Sequence, residues 1–157
     1  MEPKILEREP FVVIGTITQL NVKEDNIGIY ESIWQKFESY HSQIKPYSID
    51  QAYYGVSFPT DKEGIIDYLA GMSIDPNVPF NTELISRKIE AARFAVFACP
   101  VENIGIFYQS IFGQWLPNSK YDINSKVPVF EQYPPEGDRE SPVHIHIPVE
   151  EKETVKG

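Results

Sequence analysis

Runs that alternate apolar and polar residues make up most of this chain, and two segments of helical period interrupt them. From Phe11 to Thr18 the residues are mostly β-branched, which predicts a strand, and the polar stretch from Asn21 to Asn26 predicts the loop after it. From Ile27 the apolar positions become Tyr30, Ile33, Trp34, Phe37, His41 and Ile44, three or four apart. That spacing predicts an amphipathic helix, with Asp25 or Asn26 as N-cap and a stop before Pro46. Two strands follow, Gln51 to Phe58 and Ile65 to Ile74, joined by a turn from Pro59 to Gly64. The second strand alternates cleanly through Ile66, Tyr68, Ala70, Met72 and Ile74.

Beyond a connector at Pro76 and Pro79, Leu84 to Ala98 reads as extended and bent around Glu90-Ala91-Ala92, with a helix over Thr82 to Ala92 as the rival reading. The helical period returns at Ile104, Phe107, Tyr108, Ile111, Phe112 and Trp115, and Pro117 is expected to end it. Val127 to Tyr133 and Val143 to Val149 are the last strands, either side of a turn at Pro134 to Asp138. Glu150 to Gly157 reads as a solvated tail.

Both halves thus run strand, helix, strand, strand, about 80 residues apart, which predicts an internal duplication. The first repeat would span about 8–76 and the second about 82–149, within one domain of 1–150 followed by a tail of 151–157. A shift of 78 lays Tyr30 on Tyr108, Ile33 on Ile111, Trp34 on Phe112 and Phe37 on Trp115. A shift of 77 over the following strands lays Tyr54 on Glu131, which would bring those two face to face across a pseudo-twofold cleft. The expected fold is α+β: duplicated βαββ units, antiparallel sheets and two helices around a central pocket.

Composition narrows the function. With 41% hydrophobic residues the chain can bury one sizeable core. Its 23 acidic against 14 basic residues, a net charge of −9, leave no basic stripe for phosphates and argue against direct nucleic-acid binding. The longest apolar stretch, Phe94 to Val101, is far below the roughly 18 residues a membrane helix needs. A lone Cys99 and a start without an apolar leader point to the cytoplasm.

Glu131 is the most informative residue, because it interrupts the alternating face of Val129 and Tyr133. A carboxylate there is either an ordinary group on a solvated face or a buried one with a task, since dry burial costs several kcal/mol. Aromatic residues fall on the predicted elements, and Trp34, Tyr68, Phe97, Tyr108, Phe112, Phe130 and Tyr133 are the candidates to line a pocket for planar apolar or cationic compounds. His144 and His146 project from one face of the last strand but lack a third ligand, so a solvent-facing pair is the better reading than a metal site. Cys99 has no sequence-near partner and reads as a small buried hydrophobe. No phosphate-binding glycine loop, Gly-x-Ser-x-Gly elbow or Cys-x-x-Cys pair is present, and neither a metal nor a cofactor is expected.

The order of several short motifs resembles the GyrI-like small-molecule-binding family, also found as the effector-binding domain of AraC-type and related bacterial multidrug-sensing regulators. They are Pro10-Phe11-Val12-Val13-Ile14-Gly15, Ile33-Trp34-Gln35-Lys36-Phe37, Tyr54-Gly55-Val56, Asp67-Tyr68-Leu69-Ala70-Gly71, Phe94-Ala95-Val96-Phe97, Ile111-Phe112-Gly113-Gln114-Trp115-Leu116-Pro117 and Phe130-Glu131-Gln132-Tyr133. The resemblance implies a concave pocket in which an acidic residue, here Glu131, meets hydrophobic and often cationic aromatic ligands. The chain has no room for a DNA-reading helix-turn-helix unit, so a free-standing member is expected. Some such members hydrolyse strained cyclopropane-bearing toxins for self-protection, using a glutamate and a tyrosine. Glu131 would then activate water and Tyr54 orient it, with Tyr68 and Tyr133 as substitutes. The other implied class is a non-catalytic binder that sequesters drugs, or a protein that engages DNA gyrase.

Overall fold

The computed structural model describes residues 2–24, 28–80, 83–138 and 140–153. Among the described residues there are nine strands, all paired antiparallel, and two principal helices. In chain order they are β1 (Lys4–Arg8), β2 (Phe11–Asn21), α1 (Ile29–Ile44), β3 (Ser48–Pro59), β4 (Ile65–Ile74), β5 (Ile85–Ile89), β6 (Ala92–Cys99), α2 (Ile104–Ser110), β7 (Tyr121–Ile123), β8 (Val129–Tyr133) and β9 (Val143–Glu151). The main sheet runs β1-β6-β9-β8-β3-β4-β2-β5, and β7 pairs with β9 off that path.

Read from either end, this order is the same once β1, β2, β3 and β4 are matched with β5, β6, β8 and β9, so the duplication is visible as a palindrome. The leading strand of each half is exchanged. Lys4 of β1 pairs with Val96 of β6, and a shift of 81 carries that pair onto Ile85 of β5 with Gly15 of β2. Followed through the remaining registers, Tyr54 corresponds to Phe130 and Gly55 to Glu131. The central pair β3–β8 sets Gly55 directly opposite Glu131. The expected equivalence of Tyr54 with Glu131 is therefore one residue out, and in a strand one residue is the other face of the sheet.

The two faces are built differently. One carries the helices: Ile33, Phe37 and Ile44 of α1 pack on Ile14, Tyr68, Ala70, Met72 and Ile74, while Ile111 packs with Phe97, Ile145 and Ile147. Among the described residues no helix covers the other face. Its core of Val13, Tyr54, Val56, Leu69, Ile89, Phe94 and Phe130 is instead closed by side chains of the outer strands, including Leu6, Phe11 and Ile85. A sheet with apolar residues on both faces and helices on one must curl until its own edges shield the second.

Several boundaries differ from the sequence expectation. Strand β1 lies outside the sequence expectation, because Lys4, Glu7 and Arg8 make it read as a charged terminus; such residues suit a protected edge. Leu84 to Ala98 is extended as expected, yet it forms two strands with separate partners, broken at Glu90 and Ala91. α1 ends at Ile44, ahead of Pro46, as predicted. The proposed caps Asp25 and Asn26, and Thr82 at the start of the second repeat, lie outside the described residues. The residue entering α1 is Gly28, whose φ of 82° is left-handed backbone that glycine adopts without cost. α2 continues through a wider π turn at Ile111–Trp115, which closes when the Leu116 N–H donates to the Ile111 carbonyl. Pro117 has no N–H to extend the ladder, and the chain leaves the helix after Asn118, one residue later than expected. β9 runs on to Glu151, so Glu150 and Glu151 are exposed strand residues rather than tail. No helix among the described residues is long and apolar enough to cross a membrane.

Candidate functional site

Between the two helices, over the centre of the sheet, lies a cavity of about 810 Å³. α1 supplies Tyr30, Glu31 and Trp34, α2 and its extension supply Ile104, Tyr108 and Phe112, and the sheet supplies Ile66, Tyr68, Val129, Glu131 and Tyr133 as floor. Tyr30 with Tyr108 and Trp34 with Phe112 are two of the helix pairs that the shift of 78 matched. The duplication thus puts equivalent aromatic positions on opposite walls of one cavity.

Glu131 is buried, 5% exposed, so the surface alternative for it is set aside. Three phenols point at its carboxylate. Tyr108 donates to Oε2 at 2.5 Å, and Tyr68 and Tyr133 donate to Oε1 at 3.1 and 3.2 Å. Among the described residues no Lys, Arg or His lies within ion-pairing distance of it. Burial pushes the carboxyl above its ordinary range, and the hydrogen bonds from Tyr108, Tyr68 and Tyr133 pull the other way without cancelling it. Burial, and then the Glu131 charge, raise all three phenols well above the usual tyrosine value, so they remain protonated donors.

The register explains how one carboxylate reaches three rings. β8 alternates Val129, Glu131 and Tyr133 towards the cavity, and the antiparallel partners Ser57, Gly55 and Tyr53 share that face. Gly55 is the gap through which Tyr68 approaches from β4: a Cβ on Gly55 would stand 1.9 Å from the Tyr68 hydroxyl and 3.2 Å from Glu131 Oε1. Edge contacts set the rest of the cage. Tyr30 meets Tyr68 at 5.3 Å between ring centres, and Trp34 meets Tyr133 at 5.4 Å.

Of the expected residues, Trp34, Tyr68, Tyr108, Phe112, Glu131 and Tyr133 are brought together here. Three are not. Tyr54 is fully buried on the helix-free face, where it donates to Asp50 at 2.5 Å and accepts from Arg8 at 2.8 Å. Phe130, beside Glu131 in sequence, also points to that face and stacks on His146 at 4.2 Å. Phe97 packs against Trp115 under α2, at 5.1 Å between ring centres. Tyr30, Glu31 and Ile66 also line the cavity and Gly55 borders Glu131, beyond the expected set; the match of Tyr30 with Tyr108 is the sequence signal for the first.

The remaining chemistry-bearing residues are structural in this arrangement. His146 is 4% exposed, which corrects the expectation of a solvent-facing pair with His144; its partner on the strand is half-buried. His41 contacts the Tyr53 hydroxyl at 2.6 Å. Cys99 is buried, and desolvation raises its thiol to about 11, so it stays protonated and unreactive. Among the described residues no cluster of His, Cys, Asp and Glu is arranged to hold a metal ion.

Solved structures share this architecture along nearly the whole chain. SAV2435, determined bound to tetraphenylphosphonium, superposes with a TM-score of 0.77 at 15% identity, covering 96% of this chain and 94% of that one. A putative transcription regulation protein from Staphylococcus aureus MU50 gives 0.71 at 14% identity, with 96% and 99% covered. The C-terminal domain of EcmrR gives 0.64 at 17% identity, with 96% and 98% covered. At these identities the likeness is one of fold. No curated protein matches the sequence. The model of the GyrI-like small molecule binding domain matches residues 1–150, and the chain belongs to that family.

Proposed function

We propose that the cavity between the helices binds aromatic, cationic small molecules, with Glu131 as their counter-charge. The observation that carries this reading is a buried carboxylate with three phenol donors and no basic partner among the described residues, set in an aromatic, largely apolar cavity. An unpaired buried carboxylate costs several kcal/mol, and neutral phenols offset only part of that. A cation supplies the rest. Because tyrosines already occupy both carboxylate oxygens, the attraction acts through space and asks for no particular hydrogen-bond geometry. Trp34, Tyr30 and Phe112 add faces and edges on which a charged aromatic body can settle. A cavity of about 810 Å³ falls in the range of pockets that hold drug-sized guests. The likeness to a tetraphenylphosphonium-bound protein supports the choice of that ion as probe.

Calorimetric titration tests the reading. Tetraphenylphosphonium should bind about tenfold or more tightly than neutral triphenylphosphine oxide. Equal affinities would remove the counter-charge from the account. Acidity gives a second check, with its sign set by the raised carboxyl of Glu131. Cation affinity should be full well above that raised value and fall as pH drops through it, before ordinary surface carboxylates titrate, while the neutral probe stays flat. Without ligand the same shift has the opposite consequence. The folded state carries no charge penalty below the ordinary carboxyl value and loses stability as pH rises from there through the raised one.

A second reading rests on the 2.5 Å contact between Tyr108 and Glu131, which puts a base and a proton donor in one cluster. In a cyclopropane fused to a quinone-like ring, water would attack a cyclopropane carbon and pass its proton to Glu131. The broken C–C bond's electron pair would move to the ring oxygen, which takes a proton from a phenol, and Glu131 would return the proton it gained to that phenol. Tyr108 or Tyr68 fits that place; Tyr54 does not reach it. Incubation with a cyclopropane-bearing alkylating compound, followed by mass spectrometry, should show several turnovers that Glu131→Gln abolishes. Stoichiometric uptake without product would leave the binding function and end the hydrolytic one. A change in DNA gyrase supercoiling without any small ligand would favour a protein partner instead.

A further inference from the structure

The helix-free face holds a second cavity, about 530 Å³, bounded by β1, β6, β8 and β9. Arg8 stands in its wall, half-buried. Its guanidinium lies 4.3 Å from the centre of the Phe11 ring and 5.4 Å from that of Phe130, which fixes its plane. One terminal nitrogen, Nη1, donates to Gln132 Oε1 at 3.0 Å and faces His146 Nε2 at 3.4 Å, while Nη2 donates to the Tyr54 hydroxyl at 2.8 Å. The buried His146 ring is held neutral, its pKa pulled down to about 3 by desolvation, and Nδ1 lies 3.1 Å from the His144 carbonyl. Nδ1 therefore carries the proton and Nε2 presents a lone pair to Arg8.

This arginine is positioned by neutral groups. Among the described residues no carboxylate lies within ion-pairing distance of it, and it reaches the Asp50 carboxylate only through Tyr54. Three of the five guanidinium N–H groups are used by Gln132, His146 and Tyr54, which leaves Nε–H and one Nη2 N–H without an acceptor among the described residues.

We propose that this cavity is a second ligand site, taking a small organic monocarboxylate with Arg8 as its anchor. A planar carboxylate matches two free N–H groups of a fixed guanidinium, and Leu6 and Val96 give its apolar body a wall. Lys4 at the mouth adds a second positive charge. The same rim holds Glu2, and the chain carries net −9, so a single negative charge is favoured over a phosphate or a dicarboxylate. No residue is shared with the cavity between the helices: Phe130 and Glu131, adjacent in β8, point to opposite faces and serve different sites.

Benzoate is the probe, followed by calorimetry and by the NMR signal of the Arg8 side-chain N–H on the whole chain. Saturable binding that moves this signal is expected, weakened about tenfold in Arg8→Lys, which keeps the charge and loses the planar fork. Lys4→Ala changes only an exposed side chain, so it should fold normally and weaken benzoate a few-fold, while Glu131→Gln leaves benzoate binding unchanged. A non-saturating shift, an equal response to chloride or phosphate, or full affinity in both Arg8→Lys and Lys4→Ala would overturn the proposal. So would a response confined to the cavity that holds Glu131.

Discussion

Glu131→Gln is expected to weaken tetraphenylphosphonium binding by about 100-fold, near 3 kcal/mol, while changing the affinity for triphenylphosphine oxide by no more than a few-fold. The amide keeps the shape of the side chain and one oxygen that can accept from the phenols, so the cavity should stay formed. What disappears is the charge. In a cavity lined largely by apolar and aromatic side chains, a single charge acts on a guest cation at a lower effective dielectric than in bulk water, which is why the expected loss is far larger than for an exposed ion pair. The variant also no longer has a buried carboxyl to ionise, so the pH dependence of cation binding should vanish with the affinity. Measuring both guests on one variant separates charge recognition from a damaged cavity, because damage would lower both affinities together.

Gly55→Ala is the second large effect, and it acts on stability and affinity at once. The added methyl would sit 1.9 Å from the Tyr68 hydroxyl and 2.7 Å from the ring carbon that bears it, both impossible as contacts. Tyr68 is fully buried and cannot step aside cheaply. The ring must tilt away from Glu131 or the β3–β4 pair must spread, at an expected cost of about 2 kcal/mol. For a chain of this size that is a fall in Tm of about 4–8 °C. Tyr68→Phe in the same chain removes the atom in closest conflict, so the double variant should recover part of the loss. Thermal denaturation of the three variants checks the order: Gly55→Ala lowest, the double variant above it, Tyr68→Phe nearest the parent. A Gly55→Ala protein as stable as the parent would mean that Tyr68 does not thread this gap.

Much of this arrangement is legible in the sequence. Helical spacing gives both helices and the wall pairs Tyr30 with Tyr108 and Trp34 with Phe112, because a 3.6-residue period fixes which side chains share a face. Glu131 stands out for the same kind of reason: a period of two makes a charged residue between Val129 and Tyr133 an anomaly, and the anomaly is the buried carboxylate. Strand register is harder. A shift of 77 and a shift of 76 look alike in composition, yet the first places Tyr54 in the cavity and the second places Gly55 there. Only the hydrogen-bonded pairing of Gly55 with Glu131 decides between them. The face of Phe97 and of Phe130 fails for a related reason. This sheet buries apolar residues on both sides, so an aromatic residue on a strand carries no mark of which core it belongs to. β1 escapes notice because an exchanged edge strand depends on a partner some 90 residues away, Lys4 with Val96, and local alternation does not record it.

The hydrogen-bond pattern around Glu131 also limits how the site can recognise a guest. Tyr108, Tyr68 and Tyr133 hold the carboxylate still and share its charge, so a ligand is selected by charge, size and aromatic surface rather than by directed polar contacts. On the proposed reading, such a site would accept chemically varied cations and reject their neutral analogues. Glu31, at the start of α1 and on the cavity lining, adds an exposed carboxylate that would draw cations to the mouth without fixing them.

Linkage provides the most direct test of the counter-charge. If a bound cation is stabilised by ionised Glu131, then by reciprocity the cation must favour ionisation of Glu131. The side-chain carboxyl carbon of Glu131, assigned by its loss in Glu131→Gln and followed by ¹³C NMR across a pH titration, reports this without an activity assay. The carboxyl should titrate above the ordinary glutamate range in the free protein, and its midpoint should move down when tetraphenylphosphonium is bound but not when triphenylphosphine oxide is. A midpoint unmoved by the saturating cation would contradict the assignment of Glu131 as its counter-charge.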